Sequence, residues 1–160
     1  MEHTIWDGRA QINLSDSFKI ATVGEKRKMY GMRKELPKFM MVDRENHVVI
    51  NAATVEQKEQ KELSIEKEAQ ALNYMYTRTV PGYKCRGIYK KVIDQHEVCV
   101  IQYTSYTIED TLFTMVLLQK EGENVNLLQC ICKNGQVPEW HPVFRDIVEK
   151  IQFKKEEASA

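Results

Sequence analysis

Between residues 83 and 132 the apolar side chains recur at alternate positions, in four runs (83–93, 98–106, 111–120 and 125–132) joined by short polar links. A period of two belongs to the β-strand, whose successive side chains point to opposite faces. The links, 94–97, 107–110 and 121–124, suit antiparallel hairpins, because a parallel crossover needs about a dozen residues. The second and third runs are apolar on both faces. Val98 and Val100 oppose Cys99, Ile101 and Tyr103, while Leu112 and Met115 neighbour Phe113, Val116 and Leu118. A sheet wetted on one side would alternate cleanly between apolar and polar. This sheet must therefore be covered on both faces, and helices are the available cover.

Two helices supply it. Trp140, Val143, Phe144, Ile147, Val148 and Ile151 form one apolar stripe, with Arg145, Asp146, Glu149, Lys150 and Gln152 on the other side. That pattern predicts a helix over 139–153, with Pro142 in its first turn, where a missing N–H is tolerated. A long helix is predicted over 64–78. Ser64 is its N-cap, its inward stripe is Ile65, Ala69, Leu72 and Tyr76, and Pro81-Gly82 marks its stop. The charged stretch 56–62 before it reads as an exposed connection, and a short third helix is placed over 25–32. Further strands fall near 10–14, 38–43 and 48–54. The fold class is α/β in the α+β sense. It is a three-layer α/β/α sandwich around a mostly antiparallel sheet of about six to seven strands.

Composition bounds the function. Lys and Arg number 23 and so do Asp and Glu, a balance unlike that of a protein that coats nucleic acid by displacing counterions. No apolar run approaches the ~18 residues of a membrane span. The first seven residues lack the basic and apolar regions of a secretory signal. The expectation is one cytoplasmic domain over residues 1–160, with its core at about 10–153 and a flexible tail at 154–160. In a reducing compartment the four cysteines (85, 99, 130 and 132) are free thiols. Cys130 and Cys132 share one strand face, the usual place for small buried hydrophobes.

Motifs for nucleophilic catalysis, phosphate cradling, dinucleotide binding, zinc and calcium are absent. The four histidines are scattered over a terminus, turns and a helix entrance, and Glu109 and Asp110 on adjacent positions need not cooperate. No catalytic residue, metal ligand or cofactor is assigned. Tyrosines 74, 76, 83, 89, 103 and 106 fit amphipathic packing, or an interface, where tyrosine is enriched. The zero net charge hides segments of +5 (19–44), −3 (45–68), +4 (78–94) and −4 (95–126). Solvated faces account for such runs, and so does a two-signed surface that steers a protein partner.

The order of elements, the stretch 39–55, the helix ending at Pro81-Gly82-Tyr83 and the closing helix resemble the PsbP/Mog-like superfamily, which includes DcrB-type bacterial proteins. Many small members end in W-x-P-x-x-x-x-I-x-x-S-I. Here Trp140, Pro142, Ile147 and Ile151 match, and Lys150 stands where Ser is common. The resemblance covers roughly residues 10–153. It implies binding rather than catalysis, since known branches include a Ran-binding import factor, a photosystem extrinsic subunit and secretion chaperones. No recognition residue of those branches carries over.

The expected function is a non-enzymatic, protein-binding adaptor or chaperone, with a bacterial cytoplasmic source implied by the resemblance. Its partner is another protein, a secreted effector among the candidates. The candidate surface is where the sheet lacks full helical cover: Tyr103, Tyr106, Phe113 and Met115. One alternative is a small-molecule or metal-binding domain with cryptic activity, using Cys130, Cys132 and His141. The other is a self-associating structural protein such as a homodimer.

Overall fold

The computed structural model describes residues 1–31, 35–56 and 64–154. In chain order the elements are β1 (Glu2–Ile5), β2 (Ala10–Asn13), β3 (Lys19–Ile20), α1 (Val23–Tyr30), β4 (Phe39–Asp43), β5 (Val48–Glu56) and α2 (Ile65–Thr79). There follow β6 (Lys84–Ile93), β7 (His96–Tyr106), β8 (Thr111–Glu121), β9 (Asn124–Lys133), α3 (Val137–Glu149) and β10 (Gln152–Phe153). Among the described residues the main sheet has seven strands in the order β3-β4-β5-β9-β8-β7-β6, each antiparallel to its neighbours. The four runs of alternating residues are β6 to β9, and their hairpins pair in unbroken sequence along the sheet. The β6–β7 link shrinks to two residues, Asp94 and Gln95, at φ 47° and 67°. Positive φ at both positions matches the twist of the flanking strands.

The two faces of this sheet are apolar because each has its own cover. On one, α2 lays Ile65, Ala69 and Tyr76 over Cys99, Ile101, Tyr103, Val116, Leu118 and Val125. Beside it α1 covers β4, with Met29 and Tyr30 packed on Ala21, Met40 and Val42. On the other face, Phe144, Ile147 and Val148 of α3 pack over Phe113, Met115, Cys130 and Cys132 in the largest core cluster.

That second layer contains more than a helix. The strand expected near 10–14 leaves the main sheet and forms a separate three-stranded sheet, β1-β2-β10, beside α3. The seventh strand of the main sheet is instead the two-residue β3. Ile5 and Trp6 are buried in the same cluster, so the core reaches forward of residue 10. The Trp6 indole donates to the Leu127 carbonyl at 3.0 Å.

The closing helix also differs from its expected 139–153. It starts at Val137, behind a 3-10 turn at Asn134–Gln136, so Pro142 lies inside the helix rather than in its first turn. It stops at Glu149 because Ile151 and Phe153 alternate into the core as part of an extended segment. There Gln152 and Phe153 pair with Gln11 and Ala10, and Phe153 stacks on Trp6 at 6.1 Å. Lys154, at the head of the expected tail, donates to the Arg9 carbonyl at 2.8 Å. Residues 155–160 of that tail, Met32 of the expected short helix and residues 57–62 of the expected connection lie outside the described residues.

Candidate protein-interaction surface

The four residues expected to line an apolar surface are separated by the fold. Tyr103 lies under α2 and is 7% exposed. Phe113 and Met115 lie on the opposite face under α3, 4% and 1% exposed, with Phe113 stacked parallel to Phe144 at 6.5 Å. The expectation that these three are uncovered is corrected. Both faces are roofed at those positions, by helices that arrive from distant parts of the chain. Tyr106, at the end of β7, is 61% exposed.

Tyr106 belongs to a compact end of the molecule. Its backbone N–H donates to the Pro81 carbonyl at 2.8 Å. Its ring lies against Gly82, where an added Cβ would sit 2.2 Å from a ring carbon. Ile108, in the following hairpin, is fully exposed. That hairpin is closed by a backbone bond from Thr107 to the Asp110 carbonyl (2.8 Å) and by the Asp110 N–H on the Thr107 hydroxyl (3.0 Å). On the last turns of α2, Tyr74 and Met75 are exposed, and Arg78 lies over the Tyr74 ring, 5.7 Å from its centre.

The core under α2 holds a layer of three tyrosines. The rings of Tyr76, Tyr83 and Tyr103 meet pairwise at 5.7, 5.3 and 4.9 Å. Their hydroxyls are engaged. Tyr83 donates to Asn73 Oδ1 at 2.6 Å, and Gln129 Nε2 donates to the Tyr76 oxygen at 3.3 Å. Burial disfavours the phenolate and moves the ionisation of all three tyrosines to higher pH than usual. They stay protonated and serve as packing and hydrogen-bonding groups. Ile108 was the missed signal: a lone isoleucine in an otherwise polar hairpin link has no local reason to be apolar.

The residues of the competing metal reading do not converge. Cys130 and Cys132 are fully buried free thiols, pushed up by desolvation, Cys132 to about 11 and Cys130 further. His141 reaches Gln102 instead, Nε2 to Oε1 at 3.2 Å. Among the described residues no three His, Cys, Asp or Glu side chains gather as a metal site. A cleft of about 190 Å³ between Phe18, Val143 and Ile147 is smaller than the ~300–1,000 Å³ of common ligand pockets.

Charge is gathered at one place. Four of the five cations of the +4 segment, Lys84, Arg86, Lys90 and Lys91, lie on β6, one of the two outer strands of the main sheet, while Arg78 lies on α2. The −4 segment is divided between the two ends of the hairpins, Glu109 and Asp110 at one, Glu97, Glu121 and Glu123 at the other.

No protein-family profile and no curated protein matches the sequence. Solved structures do match in shape. The solution structure of cyanobacterial PsbP (CyanoP) from Synechocystis superposes with a TM-score of 0.72 at 7% identity, over 96% of this chain and 92% of that one. The chain has the PsbP/Mog-like fold. LpqN, involved in cell envelope biogenesis of Mycobacterium tuberculosis, gives 0.63 at 9% identity, over 97% and 90%. The Saccharomyces cerevisiae Ran-binding protein Mog1p gives 0.59 at 9% identity, over 96% and 94%. At such identities the likeness is one of fold. Among the described residues, no helix is long and apolar enough to cross a membrane.

Proposed function

We propose that the chain is a non-enzymatic protein-binding module, an adaptor or chaperone, that grips its partner at the Tyr106 end. The observation that carries this reading is the exposed pair Tyr106 and Ile108, with the Tyr106 ring seated on the Gly82 turn and its backbone N–H held by the Pro81 carbonyl. An aromatic ring seated on a fixed support gives large contact area with little ordering entropy left to lose on binding. That a fold relative is a Ran-binding protein adds support for a protein as the ligand class. The partner's identity is not implied by that relative, and a secreted effector stays among the candidates. The module acts as one domain in the cytoplasm in this reading.

The test is photo-crosslinking. A photoreactive residue at position 108 in the source organism is expected to trap one recurrent protein that a control at position 45 does not trap. The purified partner should then bind the chain, and Tyr106→Ala should weaken binding by about tenfold, the ~1.4 kcal/mol expected of an aromatic anchor. Equal trapping at both positions, or turnover of a substrate by the purified chain, would overturn the proposal.

A further inference from the structure

We infer that the free edge of β6 accepts an acidic, extended segment of a partner protein as an eighth strand of the main sheet. This rests on the protein-binding reading above, but not on its Tyr106 end. β6 has ten residues and, among the described residues, pairs on one side only, with β7. Its alternate backbone N–H and C=O groups point outward, the template that strand addition uses. The opposite edge, β3, has two residues and offers no such length.

Edge strands are commonly blunted by lysines and bulges, and both devices are displaced here. The irregularity lies between Cys85 and Gly87, leaving Gly87 to Ile93 in unbroken register with β7. Lys90 leans onto one layer, within 2.8 Å of Glu66 and 3.1 Å of Glu97, while Lys91 pairs with Glu149 of the other. Exposed apolar side chains flank them, Ile88 and Val92 on either side of Lys90 on one face and Tyr89 beside Lys91 on the opposite face. An added strand would find cross-strand partners on both sides of the sheet.

Charge chooses the occupant. A second copy of β6 laid antiparallel on the first would bring together two strands that each carry Lys84, Arg86, Lys90 and Lys91, and like charges gathered on one ladder repel. Lys84 and Arg86 make no ion pair among the described residues, and Arg86 has the planar fork suited to a carboxylate. An acidic strand satisfies both.

The probe is a short fluorescent peptide alternating Glu and Val, titrated into the full chain at low salt and followed by anisotropy. Saturable binding is expected, with slowed hydrogen exchange over 87–93. A peptide with Lys for Glu should bind at least about tenfold more weakly. So should one N-methylated at alternate backbone nitrogens, and so should the Lys84→Glu/Arg86→Glu variant with the original probe. No saturable binding overturns the inference. Equal binding of the N-methylated peptide also overturns it, reducing the effect to bare charge attraction, and so does dimerisation of the chain through residues 87–93. Crosslinking at 108 without peptide binding sinks this inference alone. Peptide binding without a partner at 108 sinks the Tyr106 reading alone.

Discussion

At Gly82 a missing side chain makes room for a ring. The residue has φ 65°, a conformation that costs an L-residue about 1–2 kcal/mol, and Tyr106 occupies the space a Cβ would take. Gly82→Ala should therefore lower unfolding stability by about 1–3 kcal/mol in urea titrations, from backbone strain plus displacement of the ring. Tyr106→Ala in that background should recover the steric share but not the strain, so the double variant separates the two. Additive effects would show that ring and turn do not touch. Tyr106 was legible in the sequence as a candidate contact. That Tyr103, three positions earlier, would be sealed was not, because exposure depends on what lands on the strand.

The long helix α2 begins where side-chain chemistry predicts, with Ser64 accepting from the Lys67 N–H at 3.2 Å. At α1 a capping box was not foreseen. Thr22 Oγ1 accepts from the Glu25 N–H at 3.1 Å, and Glu25 accepts from the Thr22 N–H at 2.9 Å. Arg44 from the β4–β5 turn closes on the same carboxylate with two bonds, 2.7 and 3.0 Å. Arg44 first, then the Thr22 N–H, hold Glu25 at about 2, below its ordinary 4.5. A depressed carboxylate stabilises the fold above pH 4.5 and loses that contribution as pH falls toward 2. Stability measured over that window should fall less steeply in Glu25→Gln than in the parent, the more so at low salt, since the pair is partly exposed. Identical slopes would remove this pair from the acid response. The long strands were legible because five or more alternations reveal a period. The two-residue strands β3 and β10 carry no period at all and exist only through their partners.

For the molecule as a whole, α3 and the small sheet share one core with the main sheet. Phe144 is fully buried at their junction, within ring contact of Phe113 and Trp140, while Trp6 reports on the small sheet through Phe153. Phe144→Ala should cost about 3–5 kcal/mol, a transfer term plus a cavity. Tryptophan fluorescence and far-UV circular dichroism should still unfold in one coincident transition, the mark of a two-state domain. Separate midpoints would mean that the small sheet melts on its own. The strand and helix periods, the hairpin order and the need for cover on both sheet faces were readable along the chain, because each is set by side-chain alternation within a few residues. Long-range packing settled which helix covers which face, that Gln152 and Phe153 pair with β2 instead of continuing a helix, and that Lys84, Arg86, Lys90 and Lys91 gather on an outer strand. Those outcomes depend on contacts between residues far apart in the chain, which no local period encodes.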